Sequence, residues 1–399
     1  MLGSFNLDKT YHFLLVVLAF LLPLTVFGGN LVIVIICILW LISGEYKAKF
    51  KIIIKNKLMI SSIFFFGIHV VGLLWTEDLS WGLHIVHKMW YFIGLLPILY
   101  TIVKKEYIGV YISAFLLAIS ITEVLSYLVW FQIIDSFKNA TWWNPTPFMS
   151  HISYNPILAF AIYLVGHELL FNSKMHLFKK CVYSIMMMTM SINMFITGGR
   201  AGQVMFFAML TILIFQKLGS HKLKAIGVIF IVIPSIFLTA YQTSDIFHKR
   251  SSEAFHHILN YEDNKNTSSG QRITFAINSW EIIAEHPIIG VGTGDFPTEY
   301  NKINQINTPE LPNTSNPHNM YTLILVQLGF IGLISFLCVF YYQIKLSFMS
   351  KNKLIRDVGL TLPLLFLIIM WSDSYLLGHY TTLMYVFFSS FLYKDFENT

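Results

Sequence analysis

The chain has 399 residues, of which 55% are hydrophobic and only 12% charged, with a formal charge of +6. A soluble protein of this length needs more charge to cover its surface, and a mean hydropathy of +0.63 points the same way. Its positive charge comes in short clusters between apolar runs, which excludes a nucleic-acid-binding face and leaves an all-α polytopic membrane protein.

In chain order, about twelve spans are predicted, at 11–27, 29–44, 58–74, 88–103, 107–131, 154–172, 177–196, 200–216, 224–241, 319–343, 355–371 and 379–394. Each is long enough to cross roughly 30 Å of hydrocarbon as a helix. Lys9 precedes the first run with no clear small-residue cleavage site, so that run reads as a retained signal anchor. Lysines and arginines gather in 45–57, 104–106, 172–180, 217–224 and 344–356. A cytoplasmic N-terminus puts those clusters, Lys9 and Lys394 inside. It leaves Lys88, Lys138, Arg200, Lys249, Arg250, Lys265, Arg272 and Lys302 outside or at the outer edge. The positive-inside rule therefore predicts both termini in the cytoplasm.

Within the spans charge is scarce: Glu123, and Glu168 near an end. A proton-coupled transporter would carry several ionisable groups facing one another. Cys37, Cys181 and Cys338 fall inside spans without disulfide or metal-ligand spacing, and read as buried small hydrophobes.

Two connections are long. Residues 132–153 form an outer loop rich in Trp and Pro, and 242–318 form the largest outer segment. Within it, SSGQRITFAINSWEIIAEHPIIGVGTGDF predicts a helix that starts near Arg272, capped by Ser268 or Ser269 and ended by Pro287. Ile273, Ala276, Ile277, Trp280, Ile283 and Ala284 share one face at 3.6-residue spacing, so the helix lies on the membrane surface or packs on the bundle. The glycines from Gly290 to Phe296 follow no soluble strand and read as a turn that lets backbone approach backbone. His248, His256 and His257 with Glu253 read as a solvated loop face, since no second carboxylate–histidine pair answers them.

Four residues on the outer side could carry chemistry. In ITGGRAGQ the Gly-Gly pair permits a tight reversal and sets Arg200 in the first turn of a helix, where N–H groups, the helix dipole and a guanidinium converge on a site for phosphate. An interfacial arginine snorkelling to headgroups is the bland alternative. Arg272, at the start of the loop helix, is an anion ligand or an ordinary solvated arginine. His318, followed by Asn319 at the start of the tenth span, is a proton acceptor or a locally hydrogen-bonded histidine. Asp373, in WSDSYLLGH, is a cap or loop residue on the same side as the arginines.

GGRAG, GQRITFAINSWEIIAEHPIIGVGTGDF and PHNMYTLILVQLGFIGLI, in that order, resemble the O-antigen ligase family of bacterial envelopes. That family shares a superfamily with O-antigen polymerases and protein O-oligosaccharyltransferases. The resemblance implies a GT-C-like fold of about twelve spans in one membrane domain over 1–399. The periplasmic segment 242–318, between spans nine and ten, would contribute to the active site. It implies a metal-independent, cofactor-free inverting transfer of a glycan from undecaprenyl diphosphate to a sugar hydroxyl of lipid A–core, at the periplasmic face of the bacterial inner membrane. Arg200 and Arg272 match the family's two essential arginines, and His318 with Asn319 matches its outer-loop HN motif. Asp373 falls in the loop where an important aspartate is often carried. TGGRAG departs from the commoner small-hydroxyl residue before the arginine. A polymerase of the same superfamily is the nearest rival reading. A lipid-linked glycan flippase or solute transporter is a rival from another class.

Overall fold

The computed structural model describes residues 7–396. Its helices run in chain order α1 (Leu7–Leu21), α2 (Val26–Ile42), α3 (Tyr46–Lys55), α4 (Lys57–Val71), α5 (Leu79–Trp90), α6 (Leu96–Ile102), α7 (Ile108–Trp130), α8 (His151–Phe171) and α9 (Leu177–Ile196). They continue as α10 (Arg200–Lys217), α11 (Lys222–Thr243), α12 (Asp245–Leu259), α13 (Ser268–Glu285), α14 (Phe296–Asn307), α15 (Met320–Met349), α16 (Lys353–Ile369) and α17 (His379–Leu392). Among the described residues the only β pairing is two isolated bridges, Phe137 with Ala140 and Thr141 with Asn144.

This is a multi-pass, all-helical membrane protein. A helix lies wherever a span was predicted, but among the described residues only six segments are long and apolar enough to cross a membrane by themselves: 57–75, 79–102, 105–130, 151–171, 222–243 and 320–349. A seventh is added if α2 and α3, bent by 116°, count as one. The shortest fall short by length: α17, with 14 residues, is only about 21 Å long, whereas α9, with 20, is long enough but not apolar enough. Of the apolar window of α11, just 11% is buried, so that helix presents hydrocarbon side chains to its surroundings, as only lipid tolerates.

The chain divides into two compact units. One comprises residues 1–13, 33–107 and 254–399, and the other 14–32 and 108–253. The long segment 242–318 is thus not one body, because α12 is divided at 253 while α13 and α14 belong wholly to the first unit.

In the second unit α8 packs along α10. The glycines of GGRAG explain how closely. A methyl group on Gly199 would stand 2.6 Å from Asn155 Nδ2, and one on Gly202 only 2.1 Å from Asn155 Cβ. Neither Gly198 nor Gly199 has a positive φ. Gly199 and Gly202 are therefore required for close approach, whereas Gly198 is not crowded. Asn155 closes the seam by donating from Nδ2 to Gly199 O at 3.3 Å and accepting from Thr197 Oγ1 at 2.9 Å.

In the first unit α15 packs on α4 and α16 and is broken at Gly329, whose φ is +58°. Residues 287–292 dock onto that break. Phe330 N donates to Pro287 O at 2.8 Å and Ile331 N to Ile288 O at 3.2 Å, while Val291 N and Gly292 N donate to Val326 O and Gln327 O. Amides and carbonyls freed by the break are thereby satisfied by the loop instead of by the helix. Gly290, Gly292 and Gly294 all have positive φ, and a methyl group on Gly290 would lie 2.4 Å from Gln327 C. The reading of this stretch as backbone approaching backbone is borne out. Asp295, 1% exposed, locks its far end by accepting from Thr76 Oγ1 and from the amides of Glu77 and Asp78.

Two further expectations are corrected. Helix α13 begins at Ser268 with Thr267 as its cap, Oγ1 accepting from Gly270 N. It buries Thr274, Phe275, Asn278, Ser279, Ile282 and Ile283, whereas Ile277 and Trp280 remain 50% and 64% exposed. The polar half of the helix is inward because Asn278 bonds Thr308 Oγ1 and Tyr300 Oη inside the unit. None of the three cysteines is buried: Cys181 is exposed and Cys37 and Cys338 are intermediate, on helices with lipid-compatible faces.

Candidate active site

His318 occupies a left-handed conformation with φ +53°, uncommon for a residue with a Cβ. Two asparagines hold it there. Asn316 Oδ1 accepts from the His318 amide at 3.0 Å, and Asn319 caps α15 by accepting from Tyr321 N and Thr322 N. The chain therefore turns on the histidine and starts a helix at once. Phe275 of α13 lies nearly parallel to the ring, with centroids 6.2 Å apart.

Asp373 reaches the ring from the loop between α16 and α17. Its Oδ1 accepts from His318 Nδ1 at 3.1 Å, from Ser374 N at 2.7 Å and, more weakly, from Asn316 Nδ2 at 3.4 Å. A carboxylate only accepts, so Nδ1 carries the proton and Nε2 keeps its lone pair. The ring is 36% exposed and the carboxylate 14%, so the pair is set with its acid inside and its base outside. Burial pushes the Asp373 carboxyl up. The hydrogen bond and charge of His318, the Ser374 amide and the Arg272 charge outweigh that and hold it below the usual carboxylate range.

Arg272 enters from the first turn of α13. Its Nη1 donates to Ser268 O at 2.9 Å and Ser268 Oγ at 2.7 Å, and its Nε to Ser372 O at 3.3 Å. Among the described residues Nη2 has no hydrogen-bond partner, which leaves one arm of the fork for an anion. Ser372 is followed by Asp373, so one short loop fixes both the arginine and the histidine.

The structure thus brings together Arg272, His318, Asn319 and Asp373. Arg200 belongs to the other unit. It is the first residue of α10, whose N-cap, Gly199, has no side chain to occupy the amides of the first turn. Asn316, Ser372 and Ser374 were missed from sequence. The polar spacing of SNPHN, with an asparagine two residues before the histidine, was the available signal for the first. His248 stacks on Tyr241, and no group of three or more His, Cys, Asp or Glu side chains placed to hold a metal ion occurs among the described residues.

A family model described as O-Antigen ligase matches residues 185–337. Over that stretch the chain is similar to the O-antigen ligase family. No curated protein matches the chain. The matched residues contain Arg200, Arg272, His318 and Asn319, and Asp373 lies beyond them. That similarity supports a transferase of the ligase and polymerase type.

Proposed function

We propose that the protein is an O-antigen ligase. It transfers a glycan from undecaprenyl diphosphate to a sugar hydroxyl of lipid A–core at the periplasmic face of the inner membrane, inverting the anomeric centre without a metal. One observation carries the assignment of roles: the Asp373–His318 hydrogen bond that leaves Nε2 as a free base. Nε2 takes the proton of the acceptor hydroxyl as its oxygen attacks the anomeric carbon, and Asp373 stabilises the imidazolium that forms. The sugar–phosphate bond breaks, and the electron pair goes to the diphosphate. Arg272, with Nη2 unengaged, stabilises that growing charge, a contribution on the order of 3 kcal/mol for one well-placed donor. Arg200 takes the part of the second diphosphate cation on the strength of the family motif. Asn319 sets the acceptor side by fixing the histidine backbone. The GT-C-like arrangement of about twelve spans with both termini cytoplasmic is part of the same proposal.

The test is a deletion strain complemented with each variant, its lipopolysaccharide resolved by gel. His318→Ala, Arg272→Ala and Arg200→Ala are each expected to give bare lipid A–core while long glycan accumulates on the polyprenyl carrier. Core bearing a single repeat unit would instead identify a polymerase. Full banding in the His318→Ala strain would sink the assignment.

A further inference from the structure

A cavity of about 1150 Å³ lies within the unit formed by 14–32 and 108–253, walled by α7, α9, α11 and α12. It exceeds the roughly 300–1,000 Å³ of sites that enclose small molecules, so it suits a longer ligand. Away from α12 its wall is mainly apolar. Ser191, Ser235, Thr239 and Thr243 line it, but each hydroxyl already donates to a carbonyl one turn back in its own helix. Trp142 and Trp143, on the loop after α7, are 53% and 57% exposed at its edge, as suits rings at the level of lipid headgroups.

Charge is confined to α12. Lys249 faces Glu253 across 4.0 Å, and Asp245 lies at the start of the helix. Arg250 is different: it lines the cavity, it is exposed, and among the described residues it forms no ion pair. Its Nε and Nη2 both stand 3.9 Å from where a methyl group on Gly198 would be, against the turn that carries Arg200. Asn144 holds the same turn from the other side, accepting from Gly198 N at 3.0 Å. An unpaired guanidinium therefore borders both a long apolar cavity and the arginine motif.

We propose that this cavity binds the isoprenoid chain of the lipid-linked donor, and that Arg250 grips the diphosphate where it joins that chain. The inference rests on the donor assigned above. A diphosphate offers enough oxygens to be shared by two guanidinium groups, Arg250 and Arg200. An ordinary phospholipid has one phosphate and two acyl chains, so it offers neither a diphosphate for two guanidinium groups to share nor a single long chain.

The full-length protein in phosphatidylcholine nanodiscs is titrated with undecaprenyl diphosphate and, separately, with phosphatidylglycerol, and binding is read by native mass spectrometry. Undecaprenyl diphosphate is expected to bind the unaltered protein and to lose about tenfold in affinity with Arg250→Ala, the loss of one charge-assisted contact. Arg250→Lys falls between, since it keeps the charge without the fork. Thr239→Trp, which fills the cavity, also weakens binding. Unaltered binding in Arg250→Ala and Thr239→Trp overturns the proposal, and so does phosphatidylglycerol binding as tightly with the same dependence on Arg250. If Thr239→Trp does not reconstitute, the two Arg250 variants decide. The two readings fail separately: tight, Arg250-dependent donor binding by a protein that transfers no glycan removes the ligase assignment and keeps the cavity. Transfer that survives in Arg250→Ala with donor binding unchanged does the reverse.

Discussion

A histidine at φ +53° costs on the order of 1–3 kcal/mol unless its surroundings impose it, and at His318 they do, through Asn316, Asn319 and Asp373. Asp373→Asn keeps the shape of the loop but can set the ring in the wrong tautomer. It is expected to lower transfer about 100-fold in an assay with purified donor and acceptor, while Asn316→Ala, which frees the backbone, lowers it less. The pH dependence has a definite sign. The Asp373 carboxyl is lowered on folding, so its contribution to stability is present above about pH 4 and is lost as pH falls through the lower folded value. Thermal unfolding in detergent should show an acid-side loss of stability in the unaltered protein that Asp373→Asn lacks. A steeper acid-side loss in the variant would contradict this account. The histidine and both arginines were singled out in sequence by the family motifs, whereas their local spacing alone left an ordinary role open at each. The aspartate's partner was not legible. Asp373 and His318 are 55 positions apart, and only the fold brings them to 3.1 Å.

At the scale of elements, the docked segment 287–295 is the most constrained part of the chain. Gly290→Ala must place a methyl group 2.4 Å from the α15 backbone at a positive φ, and is expected to destabilise by about 2–4 kcal/mol, read as a lowered Tm in detergent. Asp295→Ala removes the acceptor for Thr76 Oγ1 and two amides, and about 3 kcal/mol is expected there. A Tm within a degree of the unaltered protein in both variants would refute the docking. Glycine spacing announced a close approach but not its partner, since the break at Gly329 lies inside an apolar run that reads as one helix. Helix α13 shows the opposite failure. Its apolar stripe was legible, but Thr274, Asn278 and Ser279 turn inward because the unit supplies hydrogen-bond partners for them that no period in the sequence reveals. Ile277 and Trp280 are left outside.

For the whole molecule, hydropathy located the helices, because apolar runs mark where the surroundings of the chain change from water to hydrocarbon. The proposed orientation makes a direct prediction in a cysteine-free background. Ser315→Cys, exposed in the loop, should react with a membrane-impermeant maleimide in intact spheroplasts, and Lys351→Cys should react only after lysis. The reverse pattern would invert the topology. The break at Gly329 has a last consequence that neither hydropathy nor charge conveys. Phe330 and Ile331 take their acceptors from Pro287 and Ile288, so their amides are shielded from solvent deuterium only while the loop is docked. Loop and helix should then exchange as one cooperative unit. That unit joins the end of α13 to the middle of α15, the two helices beside whose starts Arg272 and His318 lie. It acts as a splint that sets the angle between the arginine and the base at a point far from either.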